Sequence, residues 1–450
     1  MVPCMKDKFI GETTNNVARF FSLHPLGLLR YSAGMGPMLD LRSSLTELKE
    51  TASDGCFGIR SFLDGKPSGN PLFLHLNDED KGVEIIESLQ AKGYYTIVSE
   101  SLDEKVTPLF SGVILGDRME LGFGTTPRCV DDPNIRTAVL PLKLGKSIIN
   151  TVFGAELPLF KPRDRVEFTV TGTPVGALEQ RHIVWEVSEE EATMTNTEIG
   201  IWPNHVSEAI GDKCYGLLVA NAMGFNVPFT TAFVPNMQPF SFGRPKDTGT
   251  VYTRTCPATK SPGHYPSQRG YHNPLYALKH PESLDENFVQ SQHVPPLASM
   301  IVQQEVVAAY AGVCIFNTDQ PMRVEGTKGY GDNFMLGDSH DDMPAEVTTK
   351  VEAIGLSLLQ NIGNGEIEWV MHQDGTLFVV QLCKHKNVVL PTPEDFVEFA
   401  YKGHSDLERF REFCHNHDNS KGIVVTGGAS ELSHVGQIAK QYQIKAIFKD

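Results

Sequence analysis

One short pattern occurs twice in this chain, and it constrains the fold more than any other feature. RVEFTVTGTPVGALEQR spans Arg165 to Arg181, and EIEWVMHQDGTLFVVQL spans Glu366 to Leu382. In each, an acidic residue sits in a β-alternating run, a turn rich in Gly, Thr or Asp follows, and a second apolar strand ends in glutamine, so both read as hairpins. Glu167 to Gln180 and Glu368 to Gln381 are both thirteen residues apart. The match continues upstream. LFSGVILGDRMELGFG, with Gly112 and Glu120, answers AYAGVCIFNTDQPMRVEGTKGYG, with Gly312 and Glu325; Gly112 to Glu167 is 55 residues and Gly312 to Glu368 is 56. Further back, FGIRSF (Arg60) answers VYTRTC (Arg254), and FIGETTNNVARFF (Gly11) answers AIGDKCYGLLVAN (Gly211). Self-similarity over so long a period means a duplicated unit. The expectation is a first copy at 1–195 and a second at 205–385, with WEVSEEEATMTNTE between them as linker or exposed helix.

Residues 386–450 form a third unit. EDFVEFAYKGHSDLERFREFCHNH carries apolar residues at helical spacing and predicts an amphipathic helix. KGIVVTGG reads as a strand running into Gly427 and Gly428. SELSHVGQIAKQYQI predicts a helix capped by Ser430 or Ser433 and ending near Tyr442, and KAIF predicts a last strand. The fold class expected overall is α/β (α+β): two tandem repeats followed by a short α/β module.

A chain of 450 residues has length for two or three domains. Apolar residues at 40% and charged residues at 21% leave no composition for disorder. Lysine and arginine total 39 against 55 acidic residues, a net charge of −16, with no basic stripe interleaved with aromatics, which argues against nucleic acid as a partner. A negative protein that binds a negative nucleotide must place its few cations deliberately, so single Lys and Arg residues near glycines are the ones to inspect. The eight cysteines are scattered without CxxC pairs, as in a reducing compartment. The first residues lack a signal-peptide core, and the most apolar later run is broken by Gln303, Gln304 and Glu305. A cytoplasmic protein without a membrane span is expected.

On these motifs the second copy resembles the ATP-grasp domain of pyruvate phosphate dikinases and phosphoenolpyruvate synthases, and the tail resembles their swivelling phosphohistidine domain. IGDKCYGLLVANAMGFNVPFTTAFV resembles the entry lobe, where a lysine, here Lys213, contacts nucleotide phosphates. IVQQEVVAAYAGVCIF resembles the adenine-side strand and its glycine-marked neighbour, VEGTKGYGD the acidic-then-glycine segment, and GEIEWVMHQDGTLFVVQ the metal-binding hairpin. GIVVTGGASELSHVGQIAKQYQIKAIF resembles the segment whose histidine carries phosphate, here His434. The resemblance implies ATP and Mg²⁺ as cofactors. It implies nucleotide contacts from Lys213, Arg254, Gln303, Glu305 and Gln381, metal ligation by Glu325 and Glu368, and catalysis by His434 and Arg254. Leu382 and Cys383 replace the family's Arg-Pro, Leu432 replaces a threonine, and the large pyruvate-binding barrel is absent, so neither pyruvate nor phosphoenolpyruvate is implied as substrate.

The residue types suit phosphoryl transfer, which needs cations and Mg²⁺ around the phosphates and an in-line nucleophile. Glu325 and Glu368 offer hard oxygen ligands, unless they are merely exposed strand residues. Lys213 follows Gly211 and Asp212 at a helix start, where backbone N–H groups already attract anions, or else is a solvated surface lysine. Its counterpart in the first copy is Thr13, which points to the second copy as the active one, although Arg60, Glu120, Glu167, Gln180 and Arg181 leave the first copy's status open. Arg254 suits a bidentate phosphate contact. His434, if not a capping or buried histidine, is a nucleophile at a helix start that stabilises the phosphate it would acquire. The loop SPGHYPSQRGYHNPLY either closes over a substrate or is a packed surface loop. CHNHD has no tetrahedral metal-ligand spacing. Three functions fit: a dikinase-like phosphotransferase working through His434 on a small-molecule acceptor, a ligase-like enzyme using an acyl phosphate, and a non-catalytic nucleotide-binding scaffold.

Overall fold

The computed structural model describes residues 19–52, 54–63, 69–100, 108–124, 135–154, 157, 165–171, 183–188, 202–235, 237–245, 249–258, 267–284, 296–384, 390 and 392–449. They fall into two compact units, Met1–Val206 with Asn236–Gln238, and Ser207–Pro235 with Pro239–Asp450.

In the first unit, β1 (Phe20–Leu23), β2 (Leu29–Ala33), β3 (Phe57–Phe62), β4 (Leu72–Leu76) and β5 (Tyr95–Glu100) form an antiparallel sheet ordered β2-β1-β5-β3-β4. Helices α1 (Leu41–Thr51) and α2 (Glu79–Gln90) lie against it, with Leu45, Leu48, Ile86 and Leu89 packed on Phe21, Phe57 and Val98. Each helix starts at an aspartate, Asp40 or Asp78, whose carboxylate accepts a backbone N–H of the first turn. A second antiparallel sheet contains β6 (Pro108–Leu115), β7 (Arg118–Phe123), β8 (Ala138–Pro141), β9 (Arg165–Thr171) and β10 (Ile183–Ser188), ordered β10-β9-β6-β7-β8, with α3 (Leu142–Phe153) packed on β7 and β8. The chain leaves this unit within α4 (His205–Ile210).

The second unit repeats the plan. After α5 (Asp212–Ala222), β11 (Thr230–Phe233), β12 (Phe240–Phe242), β13 (Val251–Pro257), β14 (Ser267–Arg269) and β15 (Leu297–Gln304) are ordered β12-β11-β15-β13-β14, position for position the order of the first sheet, with α6 (Pro274–Lys279) against β15. Its other sheet, β16 (Ala308–Phe316), β17 (Arg323–Lys328), β18 (Gly365–His372) and β19 (Leu377–Lys384), runs β17-β16-β18-β19, matching β7-β6-β9-β10. Short α7 (Gly331–Met335) and long α8 (Ala345–Ile362) pack on this sheet. The register agrees too: Val113 is paired with Glu120 and Glu167, and Val313 with Glu325 and Glu368. One physical demand explains both marker glycines. A Cβ at Gly112 would lie 2.3 Å from the Glu120 carbonyl oxygen, and one at Gly312 would lie 2.0 Å from that of Glu325.

The hairpins differ from the expectation in one respect. Glu368 pairs with Gln381, but the strand opposite β9 is Ile183–Ser188, so Glu186 and not Gln180 faces Glu167. The equal spacing of the glutamines conceals that difference. Trp185–Ser188, expected in a linker, is strand. Gly11, Thr13, Gln180 and Arg181 lie outside the described residues.

The C-terminal residues form a parallel sheet, β20 (Phe396–Ala400), β21 (Gly422–Thr426) and β22 (Ala446–Lys449), joined through α9 (Leu407–His415) and α10 (His434–Gln441). Phe399, Phe410, Ile423, Val425, Val435 and Ile438 build its core. The helix expected over the first stretch is corrected here: FVEFA is a strand, and helix begins only beyond Gly403, whose φ of 97° interrupts any continuous run. Phe396, Val397 and Phe399 fit a helical apolar pattern, but their aromatic and β-branched side chains suit the ladder to β21 better. The strands GIVVT and AIFK, and the helix between Ser433 and Tyr442, lie where the sequence places them. The architecture is α+β. Among the described residues no helix is long and apolar enough to cross a membrane, and Cys56, Cys214, Cys256, Cys314, Cys383 and Cys414 are free thiols.

Candidate functional site

Directly opposed residues on neighbouring strands share a sheet face. Glu325, Val313, Glu368 and Gln381 therefore form one row across β17, β16, β18 and β19, and Arg323, Ile315, Glu366 and Cys383 form the next row on the same side. Arg254, on β13, reaches that row from the unit's other sheet. Its Nη1 donates to Gln303 Oε1 at 2.9 Å and to the Val380 carbonyl at 2.8 Å, and its Nη2 donates to Gln381 Oε1 at 3.1 Å and approaches Glu368 Oε2 at 3.5 Å. Gln303 in turn donates to Thr230 Oγ1 at 3.3 Å. One guanidinium thus gathers three residues nominated from sequence, Gln303, Glu368 and Gln381.

Lys213 enters the same space from the first turn of α5. That helix starts after Gly211, whose φ is 88° and where a Cβ would lie 2.6 Å from Cys256 Cβ and 2.8 Å from its carbonyl oxygen, so only glycine brings the helix this close to β13. Burial, and then the Arg254 charge, push the Lys213 ammonium down to about 8, against the pull of Cys256, Glu368 and Asp212. The residue keeps part of its surface accessible, and among the described residues it has no hydrogen-bond or ion-pair partner. Two cations side by side in a partly dehydrated place are costly to each other and make a receptor for an anion.

Sequence reasoning missed Asp332. Burial raises its carboxyl, against the pull of Arg254, and Glu368 and Glu305 add to the rise, which sets it in the same electrostatic group although its surface is accessible. The signal was present in VEGTKGYGD, where glycines on either side of Tyr330 bring the chain into α7, but the segment's earlier acid, Glu325, drew the assignment. Glu305 is buried and ion-paired to Arg269, with Nε 3.0 Å from Oε1. Nearby Tyr252 has its phenol pushed up to about 12 by burial and then by Asp332 and Glu305.

Glu325 does not join this group. Its Oε1 accepts from Arg323 Nη2 at 2.6 Å, while Arg323 Nη1 donates to Glu431 Oε2 at 2.6 Å. Phe334, Met335 and Leu432 pack on Val313, the residue between Glu325 and Glu368, so an apolar plug fills the space above it. Glu325 is thus held by Arg323, whereas Glu368, expected to share one Mg²⁺ with it, lies beside Arg254. Glu325 Oε2 is buried without a hydrogen-bond partner among the described residues.

His434 is the first residue of α10 and is half-buried. Its Nδ1 lies 3.3 Å from Gln437 Oε1, and Gln437 Nε2 donates to Glu366 Oε1 at 2.9 Å. Glu366 stands two residues before Glu368 on β18, about 7 Å along the strand, so the histidine's helix is seated on the charged face. Arg269 of the aromatic loop lies on β14 and Tyr271 is exposed, whereas His264 and Tyr265 lie outside the described residues. Cys414 is buried in the C-terminal core, and among the described residues no cluster of three or more His, Cys, Asp or Glu is arranged to hold a metal ion.

No protein-family description matches the chain, and no curated relative does. Among solved structures it is similar to the VanG D-Ala:D-Ser ligase from Enterococcus faecalis, at 11% identity over 40% of this chain and 54% of that one, with a TM-score of 0.26. It is similar as well to the D-alanine-D-alanine ligase from Coxiella burnetii, at 9% identity over 40% and 49% with a TM-score of 0.25. A third is the L-amino acid ligase from Bacillus licheniformis, at 11% identity over 42% and 44% with a TM-score of 0.26. The chain spans about half the length of these structures.

Proposed function

We propose that this chain is an ATP-dependent enzyme of the ATP-grasp type, in which the second unit binds Mg-ATP and passes a phosphoryl group through His434 to a small-molecule acceptor. The observation that carries the reading is the convergence of Lys213 and Arg254, two cations beside Glu368, with the accessible Asp332 in their electrostatic reach. Triphosphate oxygens meet that need directly, and Arg254 is also placed to stabilise charge that develops during transfer. Magnesium, when bound, would neutralise phosphate charge beside Glu368 and Asp332. Gln303, Gln381 and Glu305 act in this reading by holding Arg254 and Arg269 in place. The chain works as three parts, 1–195, 205–385 and 386–450, the last presenting His434.

The test is incubation with γ- or β-labelled ATP. Acid-labile, base-stable label on the wild type that disappears in His434→Ala supports the reading, and label that survives the substitution sinks it. A second reading keeps the nucleotide site but has it activate a carboxylate substrate as an acyl phosphate. What favours it is that the module is clamped to β17 and β16 through Glu431 and Leu432, contacts that suit a stationary part better than a swinging one. Its signature is phosphate release that needs an added carboxylate and is indifferent to His434→Ala. Nucleotide binding without turnover, unaffected by Glu368→Gln, would leave only a scaffold.

A further inference from the structure

The hydrogen bonds around His434 specify which of its nitrogens carries the proton. Gln437 sits one turn after His434, so the two side chains share a face of α10. Its Nε2 donates to Glu366 Oε1 at 2.9 Å. The Glu366 oxygen accepts in this contact, which fixes the amide: reversed, it would set the Gln437 carbonyl oxygen against the Glu366 oxygen. Gln437 Oε1 is thereby turned toward His434 Nδ1 at 3.3 Å, the long end of a hydrogen bond, and an oxygen in that place accepts from N–H alone. The arrangement that completes this chain of contacts is a neutral ring with its proton on Nδ1 and its lone pair on Nε2. Glu366 is 4% exposed and belongs to β18, so the tautomer is set by a residue outside the C-terminal module. Arg323, at 2.6 Å from Glu431, and Leu432 against Val313 hold the module where this contact exists, and Lys440, 2.9 Å from Glu431, steadies that carboxylate from within the module.

We propose that Gln437 and Glu366 are positioning residues that hold His434 as the Nδ1–H tautomer when its module is seated, making Nε2 the nucleophile; this rests on His434 as the phosphoryl acceptor. In the transfer the Nε2 lone pair forms the N–P bond as the bridging P–O bond of the triphosphate breaks, its electron pair leaving on the departing phosphate oxygen. The Nδ1 proton stays, and the ring becomes a cation faced by the Gln437 carbonyl with the Glu366 carboxylate behind it. No oxidant or further co-reactant is needed.

Two measurements on the full chain test this and separate it from the acceptor reading. Ring ¹⁵N–¹³C correlation of labelled histidine, with the His434 signals assigned by their loss in His434→Ala, should show Nδ1–H in the unliganded wild type. Glu366→Gln, which keeps an acceptor oxygen, should retain that tautomer, and Gln437→Leu should lose it. An Nε2–H ring in the wild type overturns the proposal, whatever the variants do. After labelled ATP, the phosphate should be on Nε2, with labelling slowed about 10- to 100-fold in Gln437→Leu. Phosphate on Nδ1 defeats the tautomer proposal and leaves the acceptor reading standing; an Nδ1–H ring that never takes phosphate does the reverse.

Discussion

In the first unit Arg165 stands two residues before Glu167, with its Nε 3.1 Å from that carboxylate; at the same place in the second unit stands Glu366, which accepts from Gln437 instead. The surrounding rows diverge in the same sense. Glu120 accepts from Thr137 at 3.2 Å within its own sheet, whereas its counterpart Glu325 faces Arg323, which reaches on to Glu431. Arg60 donates to Thr169 at 3.1 Å, whereas Arg254 holds Gln303 and Gln381 beside Glu368. Identical strand order around the same valine thus supports two uses of a buried polar row. The first unit ties Arg165 to Glu167 and Arg60 to Thr169 within itself. The second leaves cations and acids facing one another across a place where a ligand can compensate them, and lends one acid to another module.

The largest effect expected from this contrast is structural. Arg165→Met removes the guanidinium that faces the buried Glu167 carboxylate, and losing one member of a buried pair costs about 3–5 kcal/mol. A lowered unfolding midpoint with nucleotide affinity unchanged is expected by calorimetry and binding titration; a matching loss of affinity would break the division of labour. Next is Arg254→Met, expected to lower turnover about 10²- to 10³-fold, as removing a preorganised charge contact does. Arg60→Met, its positional twin, should leave turnover where it was. Equal losses from the two would mean that both units catalyse.

A smaller effect separates the units by pH. The Lys213 ammonium, pushed down to about 8 by burial and Arg254, is the form that meets an anion. Affinity for a nucleotide should be full below pH 8 and fall as pH rises through it, by up to about tenfold per unit. Lys213→Met should bind weakly at every pH and flatten the profile. A wild-type profile level to pH 10 would show that Lys213 does not face the ligand.

Much of this was legible because backbone demands leave local marks. Gly112 and Gly312 recur since a Cβ would strike the next strand's carbonyl, and the glutamates recur since their register to Val113 and Val313 fixes their face. Gly211 marks the close approach of α5 to β13, and Lys213 two residues on was nominated from its place at that helix start. What stayed hidden depended on partners distant in sequence. Gln437 meets Glu366 across 71 residues, and Leu432 fills the space above Val313; no spacing announces either contact, so Glu325 was paired with Glu368 across a gap that is occupied. Phe396–Ala400 was misread because FVEFA satisfies two periodicities, and only the parallel ladder to β21 decides between them.

The smallest effect concerns the clamp between β17 and the C-terminal module. Arg118, two residues before Glu120 as Arg323 is before Glu325, lies 3.9 Å from Asp117 in its own turn. Arg323 instead spans Glu325 and Glu431, and Lys440 adds a second cation to Glu431. Burial would raise the Glu431 carboxyl, but the hydrogen bonds and charges of Arg323 and Lys440 outweigh it and hold the group at about 2. A carboxyl depressed in this way contributes docking strength above its free value, near 4.3, and loses it as pH falls through about 2. Amide exchange of α10 should therefore stay protected from pH 7 to pH 5 in the wild type. Arg323 is 41% and Glu431 38% exposed at the side chain, so screening limits the pair to about 1 kcal/mol in a double-mutant cycle of Arg323→Met and Glu431→Gln read by that exchange. Since Leu432 and Gln437 hold the module as well, the single variants should loosen α10 without releasing it. Full release in either would mean that the clamp, and not the apolar plug on Val313, keeps His434 against the acidic face.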